Sequence, residues 1–246
     1  MTRCHPRQMS RLCAFTLIEL LVVISIIALL MGVMLPALGA ARRSARTSTC
    51  LSTTRQMSTG LFSLATADKH GYFPRAAHSG EKGWLDFLIA QGFMSESGST
   101  RICRCPDDAS MTPWGVEAGE RRTSYGMNSY FSPTSKIRLE DVRRLSQTVI
   151  IAEMRDDRNN DHIMPQYWGN PDPITSASFA ASIRSGGEVD ADLEPYSVAK
   201  ERHAKVANYG FADGHAAAHR FEDTWVQPAG QPRQIDWYDP LFNSAN

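Results

Sequence analysis

Neither sign of charge is in excess: the 246 residues carry 26 Lys and Arg against 26 Asp and Glu. That removes the broad basic field a nucleic-acid partner calls for. The signatures of common catalytic sites are missing too. There is no Gly-x-Ser-x-Gly, no phosphate loop, no His-Glu-x-x-His and no dinucleotide fingerprint, and Ser124 and Cys105 have no base in their sequence context, so no enzyme is expected. No apolar stripe is long enough to read as coiled-coil heptads. Acids are absent from the first 14 residues. Disorder is not indicated either, because 42% hydrophobic and 9% aromatic residues are ordinary for a folded chain.

What stands out is one apolar run. From Leu20 to Leu38, 19 residues carry no charge, with Ser25, Gly32 and Pro36 the interruptions among mostly large aliphatics. About 20 apolar residues cross the hydrocarbon core as a helix. Arg3, Arg7 and Arg11 precede the run and Arg42, Arg43 and Arg46 follow it, so charge alone barely sets an orientation. Glu19 sits at the entrance. An ordinary secretory signal would offer Ala37-Leu38-Gly39 or Gly39-Ala40-Ala41 for cleavage, but its apolar region spans only about 7–15 residues. A lipoprotein reading through Cys13 lacks an apolar region upstream.

The stretch Arg11-Leu12-Cys13-Ala14-Phe15-Thr16-Leu17-Ile18-Glu19-Leu20 resembles the prepilin cleavage and methylation motif of type IV pilins and type II secretion pseudopilins. The resemblance implies cutting between Ala14 and Phe15 and N-methylation of Phe15, although the family usually has Gly where Ala14 stands. Residues 1–14 are then a cytoplasmic leader, 15–38 a transmembrane helix, 39–69 a stalk and 70–246 a head. Glu19 becomes the fifth mature residue. An acid inside lipid is costly and marks function, and the new amine of a neighbouring subunit is its natural counter-ion. The implied partners are prepilin peptidase, other pilin or pseudopilin subunits, an inner-membrane assembly platform and membrane lipid, with no nucleic acid. The implied role is a filament subunit, with its N-terminus cytoplasmic and its head periplasmic. A membrane-anchored module that binds a carbohydrate or protein is the alternative. Loss of the leader leaves 23 basic and 26 acidic residues.

Helical character continues past the membrane. Cys50, Thr53 or Thr54, Met57, Leu61 and Leu64 recur at three- and four-residue steps, predicting one helix from about Thr16 to Ala67, bent or loosened at Pro36. The head is expected to be α+β and pilin-like, the long helix packing on a small antiparallel sheet. Trp84 to Ala90 reads as a short helix and Thr148 to Glu153 as a strand. Val206–Ala212 and His215–Phe221 flank Asp213-Gly214, a two-residue hairpin signal with positive φ at both turn positions. Several head segments look like a pseudopilin-like family with a C-terminal His-nine residues-Asp-Gly element: Asp68 to Pro74, Cys103 to Asp108, Thr123 to Asn128, and His203 with Asp213 and Gly214. An insert from about Asp156 to Lys200 matches nothing recognisable.

Outside the leader, Cys50, Cys103 and Cys105 face an oxidising compartment, where three thiols permit one disulfide. Cys50 with Cys105 or Cys103 is the expected pair. Cys-x-Cys lacks the usual zinc spacing, so no metal centre is expected. His203, Asp213, His215 and His219 could form a cluster, but a turn-shaping Asp and edge-covering histidines account for them. Asp156, Asp157, Asn159, Asn160 and Asp161 could hold Ca2+. The run lacks an EF-hand's ligand spacing and glycine, so a solvated loop without cofactor is the expectation.

Overall fold

A computed structural model describes residues 17–75, 83–94, 103–110, 123–131, 136–156, 162–163, 165, 198–226 and 235–240. The leader, with Ala14 and Phe15, lies outside the described residues, as does most of the 156–200 insert. The chain divides into two compact units, Met1–Ser44 and Ala45–Asn246.

Helix α1 runs Leu17–Ala67, within one residue of the expectation at its start. In the first unit every large aliphatic side chain from Leu17 to Leu38 is exposed, Leu17 at 84% and Val33 at 70%. By length and composition this segment can cross a membrane. Helix assignment is unbroken through Pro36, although Pro36 offers no N–H to the Gly32 carbonyl. Ser25 Oγ donates back to the Leu21 carbonyl at 2.5 Å, keeping its hydroxyl satisfied within the apolar run.

In the second unit the same helix buries one stripe, Cys50, Thr53, Thr54, Met57, Ser58, Gly60, Leu61 and Ala65. The expected positions fall on it, with Leu64 partly buried at its edge. Helix α2 (Trp84–Ala90) caps itself through Asp86, whose carboxylate accepts the Gly83 N–H at 2.9 Å. It meets α1 at Gly60, where a Cβ would fall 2.6 Å from Leu88 Cδ2.

The sheet comprises β1 (Tyr125–Asn128), β2 (Val149–Glu153), β3 (His162–Ile163), β4 (Ala207–Phe211) and β5 (Ala216–His219), in the order β3-β1-β2-β4-β5. It is mixed: β1 pairs with β3 in parallel, and the other neighbours are antiparallel. Strands β2 and β4 are buried on both faces, which is why Val149-Ile150-Ile151-Ala152 reads as a continuous apolar run. A register shift between Val149 and Ile151 inserts Ile150 as a bulge opposite β4. Ile150 and Ile151 therefore both join the core containing α1, while Val149 and Ala152 join a second core with Tyr209, Phe211 and Tyr238. A small ribbon of β6 (Trp225–Val226) and β7 (Ile235–Asp236) completes the described strands.

The β4–β5 hairpin lies where Asp213-Gly214 placed it, with a different turn. The loop holds three residues, Ala212 to Gly214: the Gly214 N–H reaches the Phe211 carbonyl and the Phe211 N–H the His215 carbonyl, both at 2.9 Å. Of the three only Gly214 has positive φ (91°). Asp213 avoids the left-handed region that costs a residue with Cβ. Its carboxylate accepts the His215 N–H at 3.1 Å instead.

Candidate functional site

At the front of α1, Glu19 stands in the first turn, where a carboxylate also complements the helix dipole. The cleavage positions Ala14 and Phe15 fall outside the described residues.

The His-nine residues-Asp-Gly element acts along α1 rather than as a cluster. His203 Nδ1 lies 3.3 Å from Thr47 Oγ1. At the other end Thr59 Oγ1 donates to the Gly214 carbonyl at 3.1 Å. Thr47 and Thr59 are about 18 Å apart along a helix rising 1.5 Å per residue. Between them Gly210 presses on Ser58, where a Cβ would fall 1.7 Å from Ser58 Oγ. Asp213 is engaged with His215 (Nδ1 to Oδ1, 2.5 Å), and His215 stacks on Phe211 with ring centroids 4.2 Å apart. His219 packs edge-on against Trp237. Burial lowers the His219 pKa, as for an imidazole covering apolar rings.

His203 belongs to a different group, which spacing along the chain did not disclose. Cys50 on α1, Cys105 before β1, Glu153 at the end of β2 and His203 before β4 converge, all buried. The Cys50 and Cys105 Sγ atoms are 2.7 Å apart as free thiols. Cys103, the other partner considered for Cys50, has its Sγ 3.8 Å from Met94 Sδ. His203 Nε2 lies 2.9 Å from Glu153 Oε1 and 3.5 Å from Cys105 Sγ. Sequence context offered Cys105 no base; the fold puts an imidazole beside it, with both groups facing protein.

The surroundings hold these groups firmly. Ser124 Oγ accepts the Cys105 N–H at 2.8 Å. Glu153 Oε2 accepts the Asn208 N–H at 2.9 Å. Arg202, with its side chain only 4% exposed, lies 3.5 Å from Asp108 and bonds the Asp156 carboxylate and the Met154 carbonyl. Asp156, itself partly exposed, thus pairs with the buried Arg202, while Asp157, Asn159, Asn160 and Asp161 of the oxygen-rich run lie outside the described residues. Burial alone would depress the His203 pKa. Hydrogen bonds to Cys105 and Glu153, with the Glu153 charge, outweigh that and lift it to about 10. The hydrogen bond from Cys50, with burial, pushes the Cys105 thiol up. Burial, followed by the Glu153 charge, does the same to Tyr125.

Nothing in the local spacing of the chain marks Glu153 or Arg202 as part of this group. The available signal was Glu153 itself, a charged residue closing an apolar strand.

Residues 9–35 match the family model for the prokaryotic N-terminal methylation motif. No curated protein and no solved structure matches the chain. The motif, followed by a long apolar helix, is consistent with a type IV pilin-like or pseudopilin-like protein, and the α+β architecture matches the pilin-like description. The motif implies processing by prepilin peptidase and assembly with other pilins.

Proposed function

We propose that the chain is a structural subunit of a type II secretion pseudopilus or type IV pilus-like filament. Prepilin peptidase removes residues 1–14, Phe15 is methylated, and the apolar helix holds the subunit in the bacterial inner membrane with the head periplasmic until assembly. Its work is mechanical rather than catalytic. The supporting observation is the methylation motif joined to a helix whose large aliphatics are bare from Leu17 to Leu38. Each such side chain left in water costs about 1.5–3 kcal/mol relative to burial. Lipid covers them before assembly, and neighbouring helices cover them in the filament.

Glu19 sets the register. A carboxylate within lipid costs up to about 2.5–3.5 kcal/mol at the membrane centre and less near the surface. The Phe15 amine of an adjacent subunit offsets that cost at one axial offset only. A Glu19→Val chain is therefore cut and methylated normally but absent from sheared filament fractions. Its presence there at wild-type level contradicts the reading and leaves the helix as an anchor for a binding head.

A further inference from the structure

Four side chains from distant stretches of sequence bring one ligand atom each to a single buried point. The donor atoms of Cys50, Cys105, Glu153 and His203 all lie within 4.8 Å of one another. We propose that this point is a zinc-class metal site, with both Sγ atoms, His203 Nε2 and a Glu153 oxygen as its ligands. This goes beyond the filament reading and does not depend on it. The spacing that set zinc aside treats Cys103 and Cys105 as a pair. The fold separates them, sending Cys103 to Met94 and Cys105 to Cys50.

The donor chemistry fits. Two thiols, an imidazole and a carboxylate are donors that Zn2+ accepts, and four protein ligands make a closed tetrahedral site. The ligands are also held from behind. His203 turns Nδ1 toward Thr47 Oγ1 (3.3 Å) and Asp107 Oδ2 (3.4 Å), leaving Nε2 to point inward. A carboxylate behind the imidazole is the arrangement that fixes a metal-ligating histidine. Glu153 is held by the Asn208 N–H and side-chain amide, at 2.9 and 3.2 Å.

Charge and hydrogen bonding point the same way. Glu153, Asp107, Asp108 and Asp156 outnumber Arg46 and Arg202 in the ion pairs of this region, surroundings that favour a cation. The fully buried Tyr125 brings its hydroxyl beside the Cys50 sulfur, its side-chain hydrogen-bond partner. A Cys50 thiolate makes that weak acceptor a strong one. Loading releases both thiol protons and the proton on His203 Nε2 to solvent. It also moves the sulfurs apart by about 1 Å, since thiolates on a tetrahedral zinc stand about 3.8 Å from each other. A Cys50–Cys105 disulfide would use the same sulfurs, leave Tyr125 without an anionic acceptor, and exclude the metal.

The test uses the full chain extracted from membranes in mild detergent without chelator, read by elemental analysis and intact mass. Expected are about one zinc per chain and Cys50 and Cys105 thiols that alkylate only after chelation. Glu153→Gln and His203→Ala should each weaken zinc binding by about tenfold or more. If those variants do not fold, cobalt(II) added to chelated wild-type protein should give a thiolate-to-cobalt charge-transfer band. A metal-free chain lighter by two hydrogens, yielding a Cys50–Cys105 linked peptide, overturns the proposal. So does zinc retained at full affinity in both folded variants.

Discussion

Gly210 of β4 and Ser58 of α1 approach so closely that no side chain fits between them: a Cβ on Gly210 would lie 1.7 Å from Ser58 Oγ and 2.5 Å from Ile151 Cγ2. The sheet rests on the Ser58 side chain of the helix at this point. Gly210→Ala should therefore destabilise the head by about 1–3 kcal/mol through overpacking. Ser58→Ala should be nearly neutral alone, since Ser58 Oγ is buried without a hydrogen-bond partner among the described residues. In the Gly210→Ala background it should restore part of the loss. Denaturant unfolding in micelles, followed by the buried Trp84, measures all three variants as a double-mutant cycle.

Asn128 ties the end of β1 to two other segments. Its Nδ2 donates to the Val149 carbonyl at 2.8 Å and to the Tyr238 carbonyl at 2.6 Å, and its Oδ1 accepts the Tyr130 N–H at 3.1 Å. Asn128→Ala strands buried carbonyls and should cost about 1–3 kcal/mol. The same unfolding assay reads it, and a loss below measurement error contradicts the assignment.

The hairpin loop is docked on α1 by Thr59 and shaped by Gly214. Thr59→Val removes one hydrogen bond and should cost about 0.5–1.5 kcal/mol. Gly214→Ala should cost more, because φ is +91° and a Cβ would sit 3.3 Å from Thr59 Cα. Equal costs for the two variants would contradict that ordering.

The end of α1 carries an acid-sensitive turn. Backbone N–H groups of Tyr72 and His70 hold the Asp68 carboxyl below its ordinary 3.8. A depressed acid contributes stability that is full above the unfolded value and lost as pH falls through the folded one. The Tyr72 amide resonance should thus shift in step with the Asp68 carboxyl, with a midpoint below 3.8. Asp68→Asn should abolish the transition. A Tyr72 amide that titrates unchanged in Asp68→Asn contradicts the turn.

The long helix, α2, β2 and the β4–β5 hairpin were legible in sequence because each is local, written in apolar spacing or in an Asp-Gly turn. Strands β1 and β3 were not. Tyr125-Gly126-Met127-Asn128 does not alternate, and His162–Ile163 is two residues long, so both owe their pairing to neighbours far along the chain. The convergence of Cys50, Cys105, Glu153 and His203 was hidden for a similar reason. Spacing rules compare residues a few positions apart, whereas here 55 positions separate the two sulfurs and 50 separate the imidazole from the carboxylate. The hairpin turn differed because Asp213 takes its hydrogen bonds without positive φ, which leaves Gly214 to supply it.

The central claim is that proteolysis creates the counter-ion Glu19 requires. Intact-mass and N-terminal sequencing of chain recovered from membranes tests it most directly. A product beginning at N-methylated Phe15 is predicted. A product beginning at Ala40 or Arg42, released without the apolar helix, would contradict it.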